Sequence, residues 1–311
     1  MPTAWLPYND PQEALRLVGP PPPGITIDLY HGGPYPQSID VVTFYVLPYM
    51  SGPEVLAPCA NMPKLAAVQT LTAGYEQFLP HLPAGVTLCN AAGVHDASTA
   101  ELAVGLILAR GRELDHHARN QSARTWSPGF GTSLADRRVL IIGYGNVGRA
   151  IEQRLQGFEP ASITRVARTA RSGPPHVHAI SELHELLPTA DVAIVIAPHT
   201  PETEGLISSR ELALLPDGAL LVNVARGRLV DTQALVSELE KGRLSAAVDV
   251  VEPEPLPEDH PLWTAPNILI TPHVGGMSSA FAPRAGRLIA QQLERLSQGR
   301  PLENVVVEAT S

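Results

Sequence analysis

Basic charge, cysteine and long apolar runs are all scarce in this chain of 311 residues. Its 22 lysines and arginines stand against 31 aspartates and glutamates, a net charge of −9, and the basic residues form no block able to track a phosphate backbone. Nucleic acid is therefore not an expected partner. The 2 cysteines, Cys59 and Cys89, are too few for a disulfide scaffold and lack the spacing of a metal knuckle. They read as small core residues in a reducing cytoplasm, and no metal is expected. No run of about 18 uninterrupted apolar residues occurs, and the start MPTAWLPYND has neither a basic region nor an apolar core. The expectation is a protein with no membrane partner that is not exported.

What is present is enough apolar material, 44% of residues, to build more core than one domain usually holds, so two domains are expected. The 31 prolines and 25 glycines are spread throughout and punctuate elements. Before residue 95 four short apolar runs, at 25–30, 41–48, 65–70 and 86–89, read as buried parallel strands with helical stretches such as PEVLAPCANM between them. From residue 99 to about residue 119 the pattern becomes one uninterrupted helix, with Asp96 and Ser98 as candidate caps. Beyond it strands and helices alternate, from the strand at 138–142 to the strand at 267–270, in the rhythm of a doubly wound sheet. A helix then runs from about residue 278 to residue 297, and the last residues add an extended piece that returns to the first domain.

The expected fold class is therefore α/β with two Rossmann-like domains. A doubly wound, parallel-sheet nucleotide domain at 96–279 is inserted in a smaller, flavodoxin-like substrate domain formed by 1–95 and completed by 280–311.

Gly143, Gly145 and Gly148 follow the strand VLII and open a helix, the context that a dinucleotide fingerprint requires. Gly143 allows the tight turn, Gly145 lets backbone approach a pyrophosphate, and Gly148 permits close helix packing, with Asn146 and Val147 at the helix N-terminus. Enzymes that use NAD usually carry an acid about twenty residues on, to hold the ribose 2'-hydroxyl. Here the chain reads RVARTAR, and Arg168, Thr169 and Arg171 suit a 2'-phosphate instead, so NADP(H) is preferred with NAD(H) as the alternative.

Transfer of a hydride between a 2-hydroxy acid and a 2-oxo acid also needs a carboxylate anchor, a polarised carbonyl and a proton source. Arg226, just past the strand LLVNVA, has the planar fork for a carboxylate and its neighbouring carbonyl. His273, in TPHVGG after the strand at 267–270, is of the residue type best suited to give or take the proton. Glu254, in VEPEPL, can hold the second ring nitrogen.

The stretches NAAG at 90–93, TAELAVGLILA at 99–109, GYGNVG at 143–148, PHTPETEGLI at 198–207, VNVARGRLVD at 222–231, DVVEPEPLPEDHPLW at 249–263 and TPHVGG at 271–276 resemble the D-isomer-specific 2-hydroxyacid dehydrogenases. That resemblance, close to the glyoxylate/hydroxypyruvate reductases, implies Arg226 as the carboxylate and carbonyl binder, Glu254 as the partner of the histidine, and His273 as the acid/base. It also implies that Asp249 holds the nicotinamide carboxamide and that Pro198, Thr203 and Ala225 line the cofactor cleft. The backbone at Leu71, Thr72, Ala73 and Gly74 would complete the carboxylate site, beside His273 and Arg226, and the implied assembly is a homodimer. LTAGYEQF departs from the usual reading there, which leaves the shape of the substrate pocket open.

The expected activity is reduction of a small 2-oxo acid, such as glyoxylate or hydroxypyruvate, to the D-2-hydroxy acid. NAD-dependent oxidation of a D-2-hydroxy acid such as 3-phosphoglycerate, or of phosphite, is the rival enzyme. A non-catalytic dinucleotide-sensing corepressor is the rival of another class.

Overall fold

The computed structural model describes residues 1–309, in two units: Met1–His95 joined by the chain from Ser279 onward, and Asp96–Ser278. In chain order the elements are β1 (Thr3–Leu6), α1 (Pro11–Val18), β2 (Thr26–Leu29), β3 (Phe44–Val46), β4 (Ala67–Gln69), β5 (Thr87–Cys89), α2 (Asp96–Gly111), α3 (Leu114–Ser122), β6 (Arg138–Ile142), α4 (Asn146–Leu155), β7 (Ser162–Ala167), β8 (His178–Ala179), α5 (Leu183–Leu186), β9 (Val192–Val195), α6 (Ser209–Leu214), β10 (Leu220–Asn223), α7 (Thr232–Glu240), β11 (Ser245–Val248), β12 (Ile268–Ile270), α8 (Phe281–Ser297) and β13 (Val305–Val307). Among the described residues no helix is long and apolar enough to cross a membrane.

In the first unit the sheet runs β13-β5-β4-β3-β1-β2, parallel except where β13 lies antiparallel to β5. The order 2-1-3-4-5 of its parallel strands is the flavodoxin-like one. Alternate residues face opposite sides. Ala4, Leu6, Phe44 and Val46 pack with Ala285, Leu288, Ile289 and Leu293 of α8, whereas Trp5, Tyr45 and Val68 pack with Leu56, Cys59 and Met62. The two cysteines are buried and free, and burial pushes both thiols up, to about 11 for Cys59 and about 12 for Cys89.

Gln292 of α8 is fully buried and satisfied by its neighbours. Its amide nitrogen donates to Gln69 Oε1 at 2.7 Å and to the Glu303 carbonyl at 2.9 Å, which ties the last strand to the middle of the sheet.

Two features of this unit differ from the sequence reading. Strand β1, with α1 behind it, stands in addition to the four expected strands. TAWL is too short and too closely flanked by Pro2 and Pro7 to show a period, and it is a strand because it pairs with both β2 and β3 and buries Trp5 completely. PEVLAPCANM forms a 3-10 helix over Pro53–Asn61, with Pro58 inside it, where the missing N–H disfavours an α-helix.

The second unit has the strand order β12-β11-β10-β9-β6-β7-β8, parallel throughout. It is the 3-2-1-4-5-6 order of a dinucleotide fold with one more strand at the edge. Strands β9 and β10 are buried along their whole length, as runs covered on both faces by helices should be.

The uninterrupted helix expected to about residue 119 is two helices. The segment returning at Thr132 donates its N–H to the Gly111 carbonyl at 2.6 Å, taking that carbonyl out of the helical ladder, and Glu113 turns left-handed at φ 53° before α3 begins. Helix α3 buries none of its residues.

In the first unit a Cβ at Gly286 would fall on the backbone carbonyl of Leu17, at the crossing of α8 and α1. Gly286→Ala should therefore lower stability by roughly 1–3 kcal/mol through overpacking, read as a drop of several degrees in a thermal melt. An unchanged melt would show that the two helices do not need this close approach.

Candidate active site

The buried strand β6 delivers Gly143 at φ 110°. A Cβ there would overlap the backbone of Ile196 and Ala197 beyond β9, and one at Gly148 would overlap the Gly143 carbonyl. Gly145, by contrast, faces open space. It precedes α4 without a side-chain cap, so the first N–H groups of the helix, at Asn146, Val147 and Gly148, are left for an anion. The turn lies where the strand order reverses between β6 and its neighbours β9 and β7, the place at which such sheets bind ligands. These residues fit a dinucleotide pyrophosphate.

At the end of β7, Arg168, Thr169 and Arg171 are exposed and no carboxylate takes the expected acidic position. The Glu202 carboxyl is held below its ordinary value, first by the Thr200 hydroxyl and more weakly by Arg168. Arg171 Nη2 donates to the Tyr144 carbonyl of the glycine turn at 2.7 Å. After β9 the Thr203 hydroxyl donates to the Pro198 carbonyl at 2.7 Å and accepts from the Thr200 N–H at 2.8 Å, closing a tight turn.

Arg226, Glu254 and His273 follow β10, β11 and β12, three adjacent strands, and so share the carboxyl edge of the sheet. Asn223, buried at the end of β10, shapes the arginine turn. Its Oδ1 accepts from the Ala225 N–H at 3.1 Å and its Nδ2 donates to the Arg226 carbonyl at 3.0 Å, and Arg226 Nη1 donates to the Ala225 carbonyl at 2.6 Å. Ala225 itself is buried. A Cβ at Gly227 would overlap the Val251 carbonyl, so this glycine lets the arginine turn approach the segment that leads to Glu254.

His273 sits at φ 53°. Its Nδ1–H donates to Glu254 Oε1 at 2.5 Å, and both side chains are partly exposed, 36% and 37%. With Nδ1 engaged, Nε2 is the ring atom left to exchange a proton with a ligand.

Asp249, 2% exposed, is where the geometry adds most to the sequence reading. Its Oδ1 accepts from the Thr271 hydroxyl at 2.5 Å and the Val274 N–H at 2.9 Å, its Oδ2 from the Gly275 N–H at 2.8 Å, and its carbonyl from the His273 N–H at 2.8 Å. The carboxylate thus clamps the turn that carries His273, whatever it does toward a cofactor.

Residues 71–74 belong to the first unit, and their carbonyls are all engaged. The Leu71 carbonyl meets His95 Nε2 at 2.8 Å, the Thr72 carbonyl accepts from the Ala91 N–H and the Thr70 hydroxyl, the Ala73 carbonyl from Asn90 Nδ2 at 2.8 Å, and the Gly74 carbonyl from the Thr72 hydroxyl at 2.7 Å. Among the described residues the N–H groups of Thr72, Ala73 and Gly74 have no acceptor.

Sequence reasoning did not single out Asn223, Thr271, Asn90 or His95. The signal at Asn223 was legible, because an amide inside an apolar strand has to be hydrogen-bonded. The others act across 17 to 24 residues of chain, with no local pattern.

Residues 104–275 match the family model described as D-isomer specific 2-hydroxyacid dehydrogenase, NAD binding domain. A D-3-phosphoglycerate dehydrogenase of Methanocaldococcus jannaschii is 32% identical over 232 residues, 71% of this chain and 43% of that protein, so the match spans less than half of that relative. A glyoxylate/hydroxypyruvate reductase B of Escherichia fergusonii is 34% identical over 256 residues, 79% of each chain. The solved NADPH-dependent glyoxylate/hydroxypyruvate reductase of Sinorhizobium meliloti, in complex with citrate, is similar with a TM-score of 0.83 at 27% identity, over 99% of both chains.

Asp249→Asn puts an amide donor among three donors. We expect a loss of about 2 kcal/mol in the stability of the second unit, measured by denaturant unfolding. Unchanged stability would show that the turn holds without the carboxylate.

Proposed function

The chain belongs to the D-isomer-specific 2-hydroxyacid dehydrogenase family, and from that membership we propose that it reduces a small 2-oxo acid, of the glyoxylate or hydroxypyruvate kind, to the D-2-hydroxy acid with NADPH preferred and NADH as a weaker alternative. The observation that carries the reading is the His273–Glu254 pair at the sheet edge that also bears Arg226. The arginines at the end of β7, in place of an acid, support the choice of NADPH. The names of the Escherichia fergusonii and Sinorhizobium meliloti relatives support the substrate class.

NADPH, when bound, supplies the hydride. Gly143, Gly145, Asn146, Val147 and Gly148 would hold its pyrophosphate and Arg168, Thr169 and Arg171 its 2'-phosphate, with Pro198, Thr203, Ala225 and Asp249 as the further cofactor residues. Arg226 binds the substrate carboxylate and polarises the adjacent carbonyl. His273 Nε2 would give its proton to the substrate oxygen as the carbonyl is reduced to the hydroxyl. Glu254 stabilises the imidazolium that must donate and sets which nitrogen faces the substrate. The product gains one C–H and one O–H bond, and the ring is reprotonated from solvent.

The active form in this reading is a cytoplasmic homodimer. Support comes from Trp126 and Phe130, both fully exposed on the segment after α3, where a second copy would cover them.

The direct test is the initial rate of reduction of glyoxylate, hydroxypyruvate, pyruvate and bulkier 2-oxo acids with NADPH and with NADH at neutral pH. We expect turnover on glyoxylate and hydroxypyruvate, faster with NADPH. Turnover with NADH alone would overturn the cofactor assignment. Absence of turnover on every acid would favour oxidation of 3-phosphoglycerate or phosphite, or a dinucleotide sensor.

A further inference from the structure

Tyr144 fills the variable position between Gly143 and Gly145, and nothing in the proposed reaction uses its side chain. That side chain is only 7% exposed, and its hydroxyl donates to Glu152 Oε2, a buried carboxylate on α4. Arg165 of β7 grips the same carboxylate with both arms of its fork, Nε to Oε2 at 2.9 Å and Nη2 to Oε1. The Arg165 guanidinium, with the Tyr144 hydroxyl assisting, holds Glu152 below the ordinary carboxylate range, so this pair cancels its own charge.

Arg171 is different. Its guanidinium carbon stands 5.4 Å from the centroid of the Tyr144 ring, and its Nη2 donates to the Tyr144 carbonyl at 2.7 Å. Its backbone is clamped as well, because the Arg171 N–H donates to the Val177 carbonyl at 2.9 Å and the Val177 N–H to the Arg171 carbonyl at 3.0 Å, with Val177 buried. None of the ion pairs among the described residues includes Arg171. An exposed arginine is therefore held at both ends, beside the glycine turn, with its charge uncompensated.

We propose that Tyr144 is a specificity-determining positioning residue: its ring and carbonyl hold the Arg171 guanidinium ready for the 2'-phosphate, so that the glycine turn itself helps to select NADP(H) over NAD(H). The inference rests on the cofactor reading given above. A free arginine loses much rotamer freedom when it binds an anion, whereas one already stacked and hydrogen-bonded loses little, and the saving appears only for the ligand that carries the 2'-phosphate. The ring is held by packing among the buried apolar residues of the second unit, Ile141 and Ile151 included.

The test is the dissociation constants of NADP+ and NAD+, by calorimetry, for the wild type, Tyr144→Leu, Tyr144→Phe, Arg171→Leu and the double variant Tyr144→Leu/Arg171→Leu. We expect the wild type to favour NADP+, and Tyr144→Leu to weaken NADP+ about tenfold while NAD+ stays within about twofold. Tyr144→Phe, which retains the ring, should keep the wild-type ratio, the main-chain carbonyl being common to all the variants. The double variant should bind NADP+ no more weakly than Arg171→Leu alone, as expected when one residue acts through the other.

Equal weakening of both dinucleotides by Tyr144→Leu would mean a structural role and would overturn the proposal, as would independent losses in the double variant. If Arg171→Leu abolishes the preference and Tyr144→Leu leaves it intact, the cofactor reading stands and this inference fails. A wild type without any NADP+ preference would sink both. Arg171 is exposed, so its variant reports even if Tyr144→Leu folds poorly.

Discussion

A buried carboxylate governs the chemistry of the second unit. Asp249 lies beyond the end of β11, almost without exposure, and is bearable there because three donors from residues 271–275 satisfy it. In return the turn cannot relax, and His273 stays in a left-handed conformation that a histidine outside such a clamp would rarely hold. The Nδ1 contact with Glu254 then orients the ring. The left-handed turn at His273 is thus supported by the hydrogen bonds that Asp249 accepts from it.

The same economy appears at the glycine turn. Gly143 and Gly148 are glycine because backbone occupies the space where a Cβ would go, and Gly145 is glycine at a place that is empty within the protein. Two steric constraints point inward and one opening points outward. Around that opening, helix α4 contributes unsatisfied N–H groups and the loop after β7 contributes positive charge through Arg171. Charge and hydrogen-bond donors are in position before a ligand arrives, which is what keeps the reorganisation cost of binding low.

Much of this was legible in the chain because parallel strands buried on both faces are continuous apolar runs, and because each proposed site residue of the second unit lies at a strand end or on the turn or segment that follows it. LLVNVA, LSAAVDV and NILI each announce a strand, so Arg226, Glu254 and His273 could be placed at one edge without coordinates. Elements defined by their neighbours were not legible. TAWL becomes β1 through pairing on both sides, and the break at Glu113 follows from Thr132 taking the Gly111 carbonyl. The contact of Arg171 with Tyr144 spans 27 residues and that of Asp249 with Gly275 spans 26, and a local pattern carries no trace of either.

In the proposed reaction His273, oriented by Glu254, delivers the proton. That role is tested most directly by the single-turnover rate of NADPH oxidation by hydroxypyruvate in His273→Asn, with NADPH affinity measured on the same sample. We expect a rate lower by about 10²–10⁴ and an unchanged affinity. A variant that turns over at the wild-type rate would contradict that role.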